Sequence, residues 1–287
     1  MTAVEAETLL GTVRRHFRLA WLIRTALLIL AVGACVGAFL PDGGEQREEL
    51  MSSALLLVGV SWMLLMVISV RQIRRANQAS VYIASGRLDL AEQQLKGALG
   101  AFSLYRRGKL LICHNLAVVA HGKKDYDTAA ALCDGVLSMR KALSRNVDRL
   151  CRILLADSRL FLGDAESAAA ALEPLSAGDG GLGLSTRLML LPVELRCQTL
   201  LGAFSEAVSS LRVKVKLAEL LDSAKAALVH ALLARACRET GQDAAADFLL
   251  RRAWLYHDLG ELAEDYPFLR DSAPGTPSAD NNTDSAA

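Results

Sequence analysis

Two long apolar stretches stand near the start of the chain, separated by a short polar segment. The first, residues 19–40, carries a single charge at Arg24, and the polar positions of the second, residues 51–70, are serines. Each stretch is close to the ~20 apolar residues that a helix needs to cross the hydrocarbon core of a bilayer. A buried core helix of this length usually keeps a polar face, which the second stretch lacks. We therefore predict a transmembrane hairpin over residues 19–75.

The charges beside the two stretches predict which side of the membrane each end faces. The N-terminal segment, residues 1–18, contains three arginines, and three more follow the second stretch, whereas the loop at 41–50 has net charge −3 and one arginine. Positively charged flanks stay in the cytoplasm. Both termini, and everything after the hairpin, are therefore predicted to be cytoplasmic. The Ala-, Leu- and Arg-rich composition is compatible with a high-GC bacterium. The protein is therefore predicted to be an integral protein of a bacterial inner membrane.

After the hairpin, the apolar pattern changes to short helical runs that recur about every 39 residues. Five alanines mark this period, and four of them follow a glycine by five positions. The alanines are Ala91, Ala129, Ala168, Ala207 and Ala246, and the glycines are Gly86, Gly163, Gly202 and Gly241. A glycine after a helix suits the left-handed turn that ends it, and a small residue in the next helix lets two antiparallel helices approach closely. A period in this range is typical of stacked helix pairs. No Gly or Pro lies between Val60 and Ser85, so the second apolar stretch is expected to run unbroken into the first repeat.

The second repeat carries further motifs. It reads Asn115-Leu116-Ala117 and then Asp125-Tyr126-Asp127-Thr128-Ala129, with its glycine displaced by two positions to Gly122. Together with the glycine–alanine spacing, these motifs resemble the tetratricopeptide repeat family over about residues 76–258. The resemblance implies an all-α fold in which about five helix pairs form a solenoid, here at residues 76–270. The period exceeds the ~34 residues of that family, and no repeat ends in the family's proline.

The resemblance also implies a concave groove, made by the first helix of each pair, that binds a protein or peptide partner. Six side chains are candidates for lining this groove on the present alignment. They are Asn77, His114, Asn115, His121, Arg159 and Gln198. His114 and His121 are seven residues apart and share a helix face. Because no carboxylate or cysteine accompanies them on that face of their helix, we do not predict a metal site there.

The charge of the chain is close to neutral overall but unevenly distributed. A net charge of +1 over 287 residues argues against a dedicated nucleic-acid binder. Residues 71–152 contain 15 basic and 6 acidic side chains, whereas residues 153–287 contain 12 basic and 19 acidic ones. The basic half adjoins the membrane, where anionic lipids attract such residues, although a solvated helix face with ordinary charge scatter explains the pattern equally well. The candidates for contact with membrane lipid are Arg71, Arg74, Arg75, Arg106, Arg107 and Lys109.

Small residues in the first apolar stretch match a spacing used for close helix packing in membranes. Gly33 and Gly37 are four positions apart. They would permit either a homodimer through the first span or close packing of the first span on the second, and the sequence leaves both open.

We find no pattern of catalytic, cofactor-binding or metal-binding residues in the sequence. The glycine-rich run at residues 178–183 lacks the Gly-Lys-Ser/Thr ending of a phosphate loop, and no nucleophile-elbow or zinc-protease motif occurs. The five cysteines after the hairpin are widely spaced without Cys-x-x-Cys, which is typical of buried thiols in a reducing compartment. The protein is therefore not expected to be an enzyme or to hold a cofactor.

These patterns predict a membrane-anchored helical-repeat scaffold that recruits a cytoplasmic protein partner. The alternative is a transmembrane sensor in which the hairpin couples to the solenoid, although the ten residues of the loop are few for recognising a ligand. The tail at residues 271–287 has no apolar run and is predicted to be disordered.

Overall fold

The computed structural model describes most of the chain as α-helix. The described residues are 2–38, 45–103, 105–139, 143–176, 181–267 and 269. They form thirteen helices and no strand, which confirms the predicted all-α class. Contacts divide the chain into a first unit, Met1–Leu162, and a second unit, Gly163–Ala287. The tail at 271–287 lies outside the described residues, as does part of the loop at 41–50.

Six helices make up the first unit. They are α1 (Ala3–Ala38), α2 (Glu45–Ala84), α3 (Leu88–Gly100), α4 (Arg106–Gly122), α5 (Tyr126–Leu137) and α6 (Arg145–Phe161). Helix α2 runs without a break from the second apolar stretch to the first repeat turn, as predicted. Residues 45–50 belong to α2 rather than to the loop, and residues 3–18 are continuous with the first apolar stretch in α1.

The apolar parts of α1 and α2 are mostly uncovered within this unit. Both helices are long and apolar enough, by length and composition, to cross a membrane. Ile29 of α1 is 67% exposed, and Leu56 and Met63 of α2 are 69% and 68% exposed. Such contiguous apolar surface is unfavourable in water, so these parts of the two helices require another covering.

The N-terminal part of α1 is packed, in contrast to its apolar end. Leu10, Val13 and Phe17 are buried at alternating steps of three and four residues, and Ala6 and Ala20 extend the same stripe. This spacing places all five side chains on one helix face. The helix contacts α2, α3 and α5, so one end of α1 belongs to the core of the first unit.

A repeated turn joins the two helices of each pair. Gly86, Gly163, Gly202 and Gly241 all have positive φ, between 73° and 81°, which confirms the predicted left-handed glycines. In the second repeat the residue at this register is Lys124, with φ of 62°, and not the displaced Gly122. In four of these turns the N–H group after the left-handed residue donates to a carbonyl five residues earlier, at 2.8–2.9 Å. These bonds join Arg87 to Tyr82, Asp125 to Ala120, Ala203 to Gln198 and Gln242 to Cys237. Each is the 6→1 hydrogen bond of a Schellman motif.

The five periodic alanines are buried, each at 0–1% exposure. They lie in the first turn of the second helix of each pair, where a larger side chain would separate the helices. The period seen in the sequence therefore corresponds to a turn and a close contact that recur in the structure.

Seven helices make up the second unit. They are α7 (Ala165–Ser176), α8 (Leu184–Leu200), α9 (Phe204–Val208), α10 (Leu211–Ala218), α11 (Ser223–Glu239), α12 (Asp243–Tyr256) and α13 (Leu259–Asp265). Helix α11 is the centre of this unit, because it packs on α8, α9, α10, α12 and α13 and is buried over most of its length. The fourth repeat departs from the regular pairs predicted from the sequence. Its second helix ends after Val208 and is followed by Ser210, which has φ of 55°.

Candidate partner-binding groove

The histidines predicted to line a groove are instead part of the packing between helices of the first unit. His114 is 7% exposed, and its Nδ1 lies 3.5 Å from the Sγ of Cys151 on α6. The Nε2 of His121 lies 3.1 Å from the Oδ2 of Asp157, also on α6. The prediction that no cysteine or carboxylate accompanies these histidines concerned only the face of their own helix. The packing of α6 supplies both.

The cysteines around His114 are buried free thiols, as predicted. A hydrogen bond with Cys133, and a further one with His114, lowers the pKa of the Cys151 thiol, whereas burial raises the pKa of Cys113 to about 12. Among the residues that the structure describes, no group of three or more His, Cys, Asp or Glu side chains is placed to hold a metal ion.

His121 belongs to an aromatic cluster at the turn of the second repeat. The rings of Tyr126 and Phe161 are stacked, with centroids 4.4 Å apart, and His121 meets both edge-on. Aromatic pairs in these geometries contribute to packing beyond the area they bury. We therefore assign His121 a structural role at this turn.

The other candidates of the first unit lie closer to its surface. Asn77 is exposed on α2, and Asn115 is half-buried on α4. Arg159 pairs with Asp134, with 3.1 Å between Nη2 and Oδ2, and both line an open cleft of about 710 Å³. Helix α1 supplies one wall of that cleft, where Arg14 donates to the hydroxyl of Ser138 at 3.2 Å. The N-terminal part of α1 thus already occupies one side of the surface around Arg159.

Five of the six candidates for lipid contact are exposed, but Lys109 is not. The exposed ones are Arg71, Arg74, Arg75, Arg106 and Arg107. Lys109 is 1% exposed, and its ammonium donates to the carbonyl of Leu99 at 2.7 Å and lies 2.6 Å from Nδ1 of His16. Burial lowers its pKa to about 8. Lys109 therefore joins α4 to the end of α3 and to α1, and its assignment to the lipid surface is wrong.

Gly33, in the first apolar stretch, does not seat α1 on α2. A Cβ added to Gly33 would meet nothing within 4 Å. The surroundings of Gly37 lie outside what the structure describes. Packing of the two apolar stretches through Gly33 is therefore not observed, and a homodimer through this face stays a prediction.

Gln198 lies in a second cleft, which belongs entirely to the second unit. Helices α7, α8 and α9 enclose a space of about 450 Å³, with Glu194 one helical turn before Gln198 and Glu173 and Glu206 on the neighbouring helices. The Nε2 of Gln198 is 3.4 Å from Oε1 of Glu194. Burial raises the pKa of Glu194, and the nearby ammonium of Lys214 opposes that shift.

Gln198 was predicted from the sequence to line a groove, whereas Glu173, Glu194 and Glu206 were not. The i, i+4 spacing of Glu194 and Gln198 was a usable signal, since such residues share a helix face. Glu173 and Glu206 gave no comparable signal, because only the packing of α7 and α9 on α8 brings them near. Carboxylates and an amide beside an apolar wall are suited to recognising a cationic group with an apolar body.

Comparison of the chain with protein-family models, with curated proteins and with solved structures gives no match.

Proposed function

We propose that this protein is a membrane-anchored, tetratricopeptide-like solenoid that recruits a cytoplasmic protein partner to the inner face of a bacterial membrane. One observation carries the proposal. Helices α1 and α2 each have an uncovered apolar end and another end that is packed against the helix pairs of the first unit. A bilayer covers the apolar ends, and the packed ends then hold the helix pairs at its surface without a flexible linker.

The charges near the membrane boundary support this arrangement. Arg71, Arg74 and Arg75 follow the second apolar stretch along α2 and are exposed. Cationic side chains at this level favour the cytoplasmic side and attract anionic headgroups. The same charges favour an outside location for the loop between α1 and α2.

A sensor is the second candidate, and one contact favours it. Leu10 of α1 packs directly against Gly135 of α5, so closely that a Cβ on Gly135 would overlap the Leu10 side chain. A displacement of α1 along or across the membrane would therefore reach α5 without an intervening hinge.

Cross-linking in native membranes tests the scaffold proposal. A photo-reactive amino acid is placed at Met189, which is exposed on α8, in the otherwise unaltered chain. The scaffold proposal predicts that a specific partner protein is cross-linked and recovered with the membranes. In cells that lack the scaffold, this partner is expected to leave the membrane fraction. The proposal would be contradicted if no exposed position of α8, α11 or α12 gave a specific cross-link.

Exchange of residues 41–50, which comprise the loop and the first residues of α2, for an unrelated polar sequence separates the two candidates. A scaffold keeps its cross-linked partner after the exchange, because the loop lies on the other side of the membrane. A sensor changes its cytoplasmic cross-linking pattern, because its input has been removed.

A further inference from the structure

The cleft in the second unit lies beside the second helix of the fourth pair, which is short. Helix α9 has 5 residues, whereas α3, α5, α7 and α12 have 12–14. After Val208 the chain turns through Ser210, in the left-handed region, before α10 begins. A non-glycine residue in this conformation carries a conformational cost that the surrounding structure must offset. A space of about 450 Å³ is open among α7, α8 and α9.

Lys214 stabilises this interruption. Its ammonium donates to the carbonyls of Glu206 and Ala207, at 2.8 Å each, near the end of α9. The last carbonyls of a helix have no partner within the helix, so an ammonium there satisfies them. The ammonium of Lys214, which lies near Glu194, is thus engaged with backbone carbonyls.

The lining of the cleft combines an apolar wall with hydrogen-bond acceptors. The apolar part comes from small and aliphatic side chains, namely Ala169, Ala170, Leu172, Leu190, Leu201 and Ala203. The acceptors are the carboxylates of Glu173, Glu194 and Glu206 and the amide of Gln198. The Oε1 atom of Gln198 is buried and accepts no hydrogen bond from the residues that the structure describes. Burial without a partner is unfavourable for such an atom, so a ligand with several donors is favoured.

Arginine matches this lining in charge, shape and donor count. Its guanidinium presents five N–H donors in a plane, and its stem is aliphatic. A carboxylate and a neighbouring amide oxygen can both accept from one guanidinium, whereas a lysine ammonium is a point charge. The sequence of the second unit has 18 acidic and 11 basic residues, which favours the approach of a cationic partner at long range.

We infer that this cleft binds an arginine side chain presented, between apolar residues, by a segment of a partner protein. The inference rests on the proposed scaffold function and names the chemistry of the partner. The arginine stem and its apolar neighbours lie on the wall of α7 and α8, and the guanidinium reaches Glu194 and Gln198.

A pair of matched peptides tests this assignment on the full chain in detergent or nanodiscs. The first is a fluorescent amphipathic peptide with one central arginine flanked by leucines. The second carries citrulline at that position, which keeps the shape and removes the charge. We expect the arginine peptide to bind and the citrulline peptide to bind about ten-fold more weakly, since charge-assisted hydrogen bonds are the stronger kind. Higher salt is expected to weaken only the first.

Three variants locate the binding. Glu194→Gln is expected to weaken the arginine peptide about ten-fold, and Ala170→Trp is expected to block the apolar wall and weaken both peptides. Glu239→Gln is the control, because Glu239 is exposed at the end of α11 and does not line the cleft. Glu194→Gln removes a charge that burial disfavours, so it is expected to fold, and circular dichroism checks that it does.

Several outcomes would overturn the assignment. These are equal binding of the two peptides, an unchanged affinity in Glu194→Gln, no binding of either peptide, or self-association of the chain that Glu194→Gln abolishes, which would make a second copy the occupant. A partner that cross-links at Met189 equally well in the wild type and in Glu194→Gln would leave the scaffold function in place while removing this site. Loss of every cross-link in the wild type would instead remove the proposed function.

Discussion

Lys124 shows how a turn keeps its conformation when the residue best suited to it is absent. Four turns have glycine at the left-handed position, and the second repeat has Lys124 there, with φ of 62°. The left-handed region costs a residue with a Cβ roughly 1–2 kcal/mol. The bond from the N–H of Asp125 to the carbonyl of Ala120, at 2.9 Å, holds the turn despite this cost.

Lys124→Gly is therefore expected to stabilise the protein, by up to about 1 kcal/mol, because the greater freedom of glycine in the unfolded chain offsets part of the gain. The midpoint of thermal unfolding in detergent measures the effect. Gly241→Ala is the opposite change at the same register and is expected to lower the midpoint. A Lys124→Gly variant that unfolds earlier than the wild type would show that the lysine side chain matters more than the backbone.

The buried ammonium of Lys109 predicts a particular dependence of stability on pH. Burial lowers its pKa from 10.5 to about 8 in the folded protein. Between these values the unfolded chain binds the additional proton, so stability is expected to rise as pH increases through that range. Lys109→Met removes the titrating group. As pH increases from about 8 to about 10.5, the unfolding midpoint of the wild type is expected to rise relative to that of the variant. Parallel profiles of the two proteins would contradict this role.

Lys109 also shows why single residues were harder to predict than turns. In the sequence it follows Arg106 and Arg107, and the three together resemble an exposed basic cluster. Its burial depends on the carbonyl of Leu99 and the ring of His16, which lie on other helices. The turn glycines were predictable because their conformation is set by the residues on either side.

At the scale of helices, α1 and α5 are in close contact at Gly135. A Cβ on Gly135 would overlap the side chain of Leu10, which is itself 6% exposed. This contact fixes where α1 crosses α5, and it is the route by which the hairpin would act on the helix pairs.

A double-mutant cycle tests the contact. Gly135→Ala is expected to destabilise by about 1–3 kcal/mol through overpacking, and Leu10→Ala by about 2–4 kcal/mol through the cavity it leaves. The double variant is expected to lose less than the sum, because the new methyl group occupies part of the space that Leu10 vacates. Additive losses in the unfolding midpoints would mean that α1 and α5 are not in direct contact.

The helix pairs were largely predictable from the sequence, and the docking of α1 was not. The pairs follow from a local period whose alanines are all buried, as their small size predicts. The stripe of Leu10, Val13 and Phe17 indicates that this part of α1 packs on something, but the sequence does not say on which helix. The interruption after α9 was missed for a related reason, because Ser209 and Ser210 are compatible with an ordinary turn or a continuing helix.

For the whole molecule, the central claim is that α1 and α2 each have one part in the membrane and another part packed against the helix pairs. In the proposed arrangement a bilayer covers exposed apolar residues such as Ile29 and Leu56, whereas the buried stripe of α1 packs against the helix pairs. The basic residues between 71 and 152 outnumber the acidic ones 15 to 6, which suits a surface beside anionic lipid.

Topology mapping in sealed, right-side-out membrane vesicles tests this central claim most directly. Single cysteines at Gly44→Cys and Asn77→Cys are introduced in a Cys35→Ser background, where the remaining native cysteines are buried, and are treated with a membrane-impermeant maleimide. The account predicts that Gly44→Cys reacts in intact vesicles, that Asn77→Cys reacts only after lysis, and that the protein stays in the membrane pellet at alkaline pH. Release of the protein into the alkaline supernatant, or reaction of Asn77→Cys in intact vesicles, would contradict it.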